Sequence, residues 1–150
     1  MTQEQDLDAV ARSIVDTNRF MALGTADESG MPWVSPVWYA TLSYREYVWV
    51  SRPGARHSRN LAQRPQVAIA IYDSHRPGGW SAFYMTAVAE ELEHVDDALD
   101  SFNRRSEAQG LRAWSRAEVV PPGEFRLYRA TATEQFVLDD HDARLAVHLR

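Results

Sequence analysis

Apolar residues at Leu7, Val10, Ile14 and Val15 recur at helical spacing behind a polar, acidic start, which predicts an amphipathic helix over residues 5–17. From Phe20 the period changes. The run FMALGTA is short and apolar, DESG supplies the Asp and Gly of a hairpin turn, and PWVSPVWYATL resumes an extended pattern. Pro32 and Pro36 each lack a backbone donor, so that second segment is expected at a sheet edge or a bulge. SYRE reads as another turn and YVWVS as a third strand, rich in aromatic and branched side chains. ARHSRNLAQR predicts a short helix closed by Pro65, and QVAIAIYD is the clearest buried strand. After the loop SHRPGG, WSAFYMTAVAEEL forms a long strand that leads to a polar helix from about Val95 to Gln109. VVPPGEF breaks the chain again, and FRLYRATATEQFVL supplies one or two last strands.

Successive strands joined by tight turns pair antiparallel, and about six of them in a chain of this length close on themselves. The expected fold is therefore mainly β: a small antiparallel barrel with peripheral helices, in one domain spanning residues 1–150. A doubly wound parallel sheet would need a regular alternation of strands and helices that the pattern lacks.

Composition narrows the chemistry. The chain has no cysteine, which removes disulfides, thiolate metal sites and cysteine nucleophiles. All 16 basic side chains are arginine, so no Schiff-base lysine and no P-loop lysine exists. A formal net charge of -5 argues against nucleic acid and anionic membranes as partners. The polar N-terminus contains neither a secretory signal nor a membrane span, so a cytoplasmic location is expected. No Gly-x-Gly-x-x-Gly follows a strand, no Gly-x-Ser-x-Gly elbow occurs, and His57 cannot pair with its helix neighbour Ser58. Metal ligation is suggested only by LDDHDARLAVH near the C-terminus; it reads as a solvated tail, and no metal site is expected.

One segment runs against the overall charge. WVSRPGARHSRNL and the residues after it place Arg52, Arg56, His57, Arg59 and Arg64 together without an acid among them. Ser51 ends a strand, Gly54 permits a turn, and Arg56 begins a helix whose first N–H groups are free, an arrangement that suits a phosphate or carboxylate. Leu61 lies one turn from His57 and Ser58, so these two face the barrel while Arg59 leans away. The competing reading is a solvated helix face whose arginines pair with acids elsewhere. Trp33, Trp38, Trp49, Trp80 and Tyr84 are candidate pocket walls; Trp49, inside YVWV, is expected in the core and Trp80 in a mobile pocket loop.

FMALGTADESGMPWVSPVWYA, then YVWVSRPGARHSRNLAQRPQVAIAIYDS and FYMTAVAEEL, resemble the pyridoxamine 5'-phosphate oxidase-like flavoproteins, the FMN-binding split barrels. The resemblance covers roughly Phe20 to Leu92, with an echo in RLYRATATEQFVLD. It implies a split antiparallel barrel, a homodimer, and FMN, or in some members a deazaflavin, held between the subunits. The family's phosphate-binding block falls on Ser51, Arg56 and His57, with Ser58 adjacent, and His57 stands where many relatives carry a lysine. The segment that lines the flavin ring in relatives corresponds to Ser35, Pro36, Val37 and Trp38. A family glutamine that reaches the ring falls near Ser81 or Ala82, and neither is glutamine. The implied function is an FMN-dependent oxidoreductase acting on a small molecule, with a deazaflavin reductase or a flavin-binding module without turnover as the alternatives. Tyr84 and His75 are candidate proton donors, and the region that recognises the substrate in pyridoxamine phosphate oxidase proper has no counterpart in FVLDDHDARLAVHLR.

Overall fold

A computed structural model describes residues 3–75 and 82–150. In chain order the elements are α1 (Gln3–Thr17), β1 (Phe20–Ala26), β2 (Pro32–Trp38), β3 (Ala40–Ser43), β4 (Glu46–Ser51), α2 (Arg56–Gln63) and β5 (Gln66–Tyr72). They continue with β6 (Ala82–Glu91), α3 (Asp96–Ala108), α4 (Arg116–Val119), β7 (Arg126–Leu138) and β8 (Arg144–Val147). The strands pair antiparallel in the order β2-β1-β5-β6-β7-β4-β3, with β8 added to β7. This is a mainly antiparallel half-barrel of the split-barrel type.

The topology explains the curl. The two terminal strands of the sheet, β2 and β3, are consecutive in sequence and separated only by Tyr39, so the sheet has to bend until its ends meet. Tyr39 staples that corner. Its N–H donates to the Arg19 carbonyl at 3.2 Å, and its hydroxyl donates to the Val15 carbonyl at the end of α1 at 2.5 Å. Burial pushes the pKa of this phenol up, so it stays a donor. The single extended segment expected over residues 32–42 is thus two strands, one at each end of the sheet. Pro32 and Pro36 lie on β2, which pairs only with β1, as edge-strand prolines should.

Alternation decides what fills the interior. In β5, Val67, Ile69 and Ile71 are buried and Ala68 is exposed, so this strand is half-buried rather than covered on both faces. β4 is the reverse: Tyr47 and Trp49 enter the main core, while Val48 joins a second core on the outer face under α3. α3 earns that position through Ala98, Leu99 and Phe102, buried on one face of a polar helix. Burial of Leu99 and Phe102 contributes about 1.5–3 kcal/mol each. Trp49 is fully buried and stacks on Tyr128 with ring centroids 5.7 Å apart.

The C-terminal residues are not a solvated tail. Asp139 accepts the N–H groups of His141 and Ala143 in a turn, and the chain returns as β8, burying Val147 and Leu149 in the main core. β7 is one continuous strand of 13 residues.

Candidate functional site

Where the ends of the sheet approach each other, a cavity of about 430 Å³ opens between β2, β4, α2 and α3. Pro36, Val37 and Trp38 of β2 form one wall, Val50 and Ser51 of β4 another, and His57 of α2 closes one end. Among the described residues β2 pairs on one side only, so backbone groups on its other edge are available at the cavity.

His57 is the hinge of this geometry. It sits in the first turn of α2, and its half-buried ring bridges two strands that do not pair with each other. Nδ1 is 3.2 Å from the Ser35 hydroxyl on β2, and Nε2 is 2.8 Å from the Ser51 hydroxyl on β4. Burial holds the His57 pKa below its ordinary value, so the ring stays neutral near pH 7. One ring nitrogen then donates and the other accepts, and either serine hydroxyl rotates to match. α2 starts at Ala55 with no side-chain cap and no acid in its first turn, which leaves first-turn N–H groups facing the same region. The bridge uses the one N–H of the neutral ring and one hydroxyl, so the other serine hydroxyl and the uncapped amides remain as donors, which suits an anion.

The surrounding arginines mostly have other partners. Arg56 lies over the Trp33 ring on β2 at 4.2 Å, and Arg52 pairs with Glu124 at 3.2 Å and lies over Phe125 at 4.6 Å. Arg64 donates to the Glu28 carbonyl at 2.8 Å, and Arg59 is exposed. The solvated-face reading therefore holds for Arg52, Arg59 and Arg64, while the anion reading attaches to His57 and its serines.

Of the nine residues expected to bind cofactor, Pro36, Val37, Trp38, Ser51 and His57 line the cavity, and Ser35 is joined to it through His57. Ser58 points elsewhere: it is buried in a separate hollow with Pro53, Leu61 and Tyr128. Ser81 lies outside the described residues, as does Trp80. His75 is exposed, and Tyr84 lies under the Arg144 guanidinium at 5.4 Å.

Sequence reasoning missed the fourth wall. Phe102 and Ser106 of α3, then Leu111, Arg112 and Trp114 of the segment joining α3 to α4, complete the lining. Asn103 clamps this connector from α3, donating to the Trp114 carbonyl and accepting the Trp114 N–H, both at 2.8 Å. Trp38 meets Phe102 edge to face at 4.8 Å, and its indole N–H donates to Gln109 at 2.9 Å. α4 is held by a capping box between Ser115 and Glu118. Gly123 allows the following turn to close on it, since a side chain there would run into the Ala117 and Glu118 carbonyls. The signal in the sequence was a tryptophan beside an arginine within an otherwise polar stretch, LRAWSRAE.

At the far end of β7, Asp139, Asp140 and His141 offer ligand atoms within 4.8 Å of one another, but on an exposed turn that Asp139 itself builds. Among the described residues no helix is long and apolar enough to cross a membrane.

Comparison with known proteins adds the family. The family model described as Pyridoxamine 5'-phosphate oxidase matches residues 7–138. A curated pyridoxine/pyridoxamine 5'-phosphate oxidase of Bdellovibrio bacteriovorus is 26% identical over 117 residues, covering 76% of this chain; the match spans only 57% of that relative's length. Among solved structures, the heme storage protein HutZ from Vibrio cholerae superposes with a TM-score of 0.69 at 21% identity, covering 91% of this chain and 99% of that one. An F420 reductase superposes with a TM-score of 0.62 at 16% identity, covering 83% of this chain and 94% of the other. These two likenesses concern the fold.

Proposed function

Since the chain belongs to the pyridoxamine 5'-phosphate oxidase family, we propose that it is an FMN-dependent oxidoreductase acting on a small molecule, its cofactor held between two copies of the chain. The observation that carries this reading is the junction of His57 with Ser35 and Ser51 at the end of an apolar cavity walled by Pro36, Val37 and Trp38. The residues present fit the group. One serine hydroxyl and the uncapped start of α2 are donors for a phosphate, joined by His57 when an anion draws a proton onto it, with Arg56 next to it in the first turn. The flat walls and the free edge of β2 suit a ring that needs both apolar contact and backbone hydrogen bonds.

Bound there, a flavin supplies the hydride chemistry. The protein's own part is to hold the phosphate end at α2, to keep water from the ring with Pro36 and Val37, and to present substrate beside it. Two copies are expected to meet through the outward face of β1, β2, β5 and β6. There the small Gly24 and Ala68 lie between Val34, which is 63% exposed, and Val88, which is 44% exposed.

The test is the visible spectrum of the purified protein, with mass analysis of whatever the unfolded chain releases. FMN is the expected result. A deazaflavin would move the reading to a reductase like the F420 neighbour, and a Soret band would replace it with heme binding, as in HutZ. On the FMN reading, Arg56→Ala and His57→Ala each weaken FMN binding by about tenfold or more, the scale of one charge-assisted hydrogen bond. Unchanged affinity in both variants would place the phosphate elsewhere.

A further inference from the structure

The cavity has a second polar end that the cofactor reading does not use. Besides His57, its lining includes Leu111, Arg112 and Trp114 of the segment after α3. The Arg112 guanidinium lies 4.0 Å over the Trp114 ring, and both of its hydrogen bonds, to the Glu118 carboxylate at 3.0 and 3.2 Å, leave from Nη1. The Nε and Nη2 N–H groups therefore have no partner among the described residues, and together they make the planar fork that binds a carboxylate through both oxygens. The Arg112 side chain is 59% exposed, but what it rests on is fixed. Its ring platform is clamped to α3 by Asn103 and packed edge to face on Phe125 at 4.8 Å, and Glu118 is held by the capping box with Ser115.

We propose that the free edge of Arg112 recognises the acid group of a planar carboxylic acid whose apolar body enters the cavity between Trp38, Val50 and Trp114. The proposal rests on the flavin reading only in taking this cavity as the place where substrate meets cofactor. The charge balance favours a carboxylate. Arg112 with Glu118 is neutral as a pair, so a monoanion finds two N–H donors, whereas a phosphate dianion meets the neighbouring carboxylate without a second cation to offset it. The body is apolar because the walls between the two polar ends are valine, proline, phenylalanine and tryptophan.

Glu118 is then a competitor built into the site, and Glu118→Gln separates its two roles. Glutamine preserves the capping box, which accepts either residue, and removes the charge.

The experiment is an NMR titration of the purified full chain, with and without saturating FMN, using benzoate, benzamide and phenyl phosphate as probes. Benzoate is expected to bind roughly tenfold or more tighter than benzamide, the scale of a charged bidentate contact. Arg112→Gln should abolish that preference while benzamide, which carries no charge, still binds, and Glu118→Gln should strengthen benzoate binding several-fold. Equal affinity for benzoate and benzamide overturns the proposal, as does an Arg112→Gln variant that loses FMN but keeps the benzoate preference. Tighter binding of phenyl phosphate than benzoate overturns the carboxylate assignment. Failure of the wild type to bind FMN at all would sink the flavin reading instead, and the benzoate preference of the cofactor-free chain judges this one separately.

Discussion

His57 concentrates the residue-scale chemistry. A lysine at this position would be charged at any ordinary pH; a histidine desolvated between Ser35 and Ser51 is neutral until something anionic arrives. Because its folded-state pKa lies below the unfolded value of about 6.5, the unfolded chain takes up the proton first, and stability falls as the pH drops from about 6.5 toward the folded-state value. Binding of a phosphate against the ring has the opposite sign: it favours the imidazolium, so FMN affinity rises over the same window as the pH falls. Urea midpoints and FMN titrations between about pH 5 and 8 read both slopes. His57→Gln should flatten the first, and His57→Lys should flatten the second by keeping its charge throughout. The phosphate takes up its own second proton at about pH 6 in every variant, so a wild type whose FMN affinity follows the same pH profile as His57→Lys would remove His57 from the phosphate site. That His57 faces inward was legible from its spacing to Leu61. Its bridge between β2 and β4 was not, because Ser35 is 22 residues away and reaches it only when the sheet curls.

At the scale of elements, α1, α2, α3 and most strands followed from period and punctuation, while the single turn of α4 was not expected. α2 stops at Gln63 just before Pro65, α3 runs within the expected bounds, and the hairpin after β1 turns on Gly30 in the left-handed region at φ 88. β8 escaped notice because Arg144–Val147 is short and follows an acidic turn; its apolar residues gain meaning only against β7. Leu149, just beyond it, is fully buried, and Leu149→Ala should lower the unfolding free energy by about 2–4 kcal/mol, the cost of emptying a core leucine site. A change within about 0.5 kcal/mol, the range of a surface substitution, would return these residues to the solvent. The α3–α4 connector was missed for a related reason. Its polar composition describes its outer side, while Arg112 and Trp114 acquire a role from the cavity they happen to close.

For the whole molecule, the bent sheet leaves the outward face of β1, β2, β5 and β6 apolar, with Phe20, Val34, Tyr72 and Val88 among the exposed large residues. A second copy covering this face accounts for them, and Val34→Asp should then shift the protein toward monomers in sedimentation velocity and weaken FMN binding with it. A variant that sediments like the wild type would move the contact surface elsewhere. The sequence alone determined most of the local pieces: the longer helices and the buried strands, that thiol and lysine chemistry is impossible, and that one basic island opens a helix. Those properties depend on neighbours within a turn or two, where period, capping and side-chain inventory act directly. Tertiary structure decided which pieces share a cavity, because closure brings Ser35, Ser51, His57 and Arg112 around one space from four separate segments. It also decided that Ser58, adjacent to His57 in sequence, faces a different hollow, since successive residues of a helix project about 100° apart.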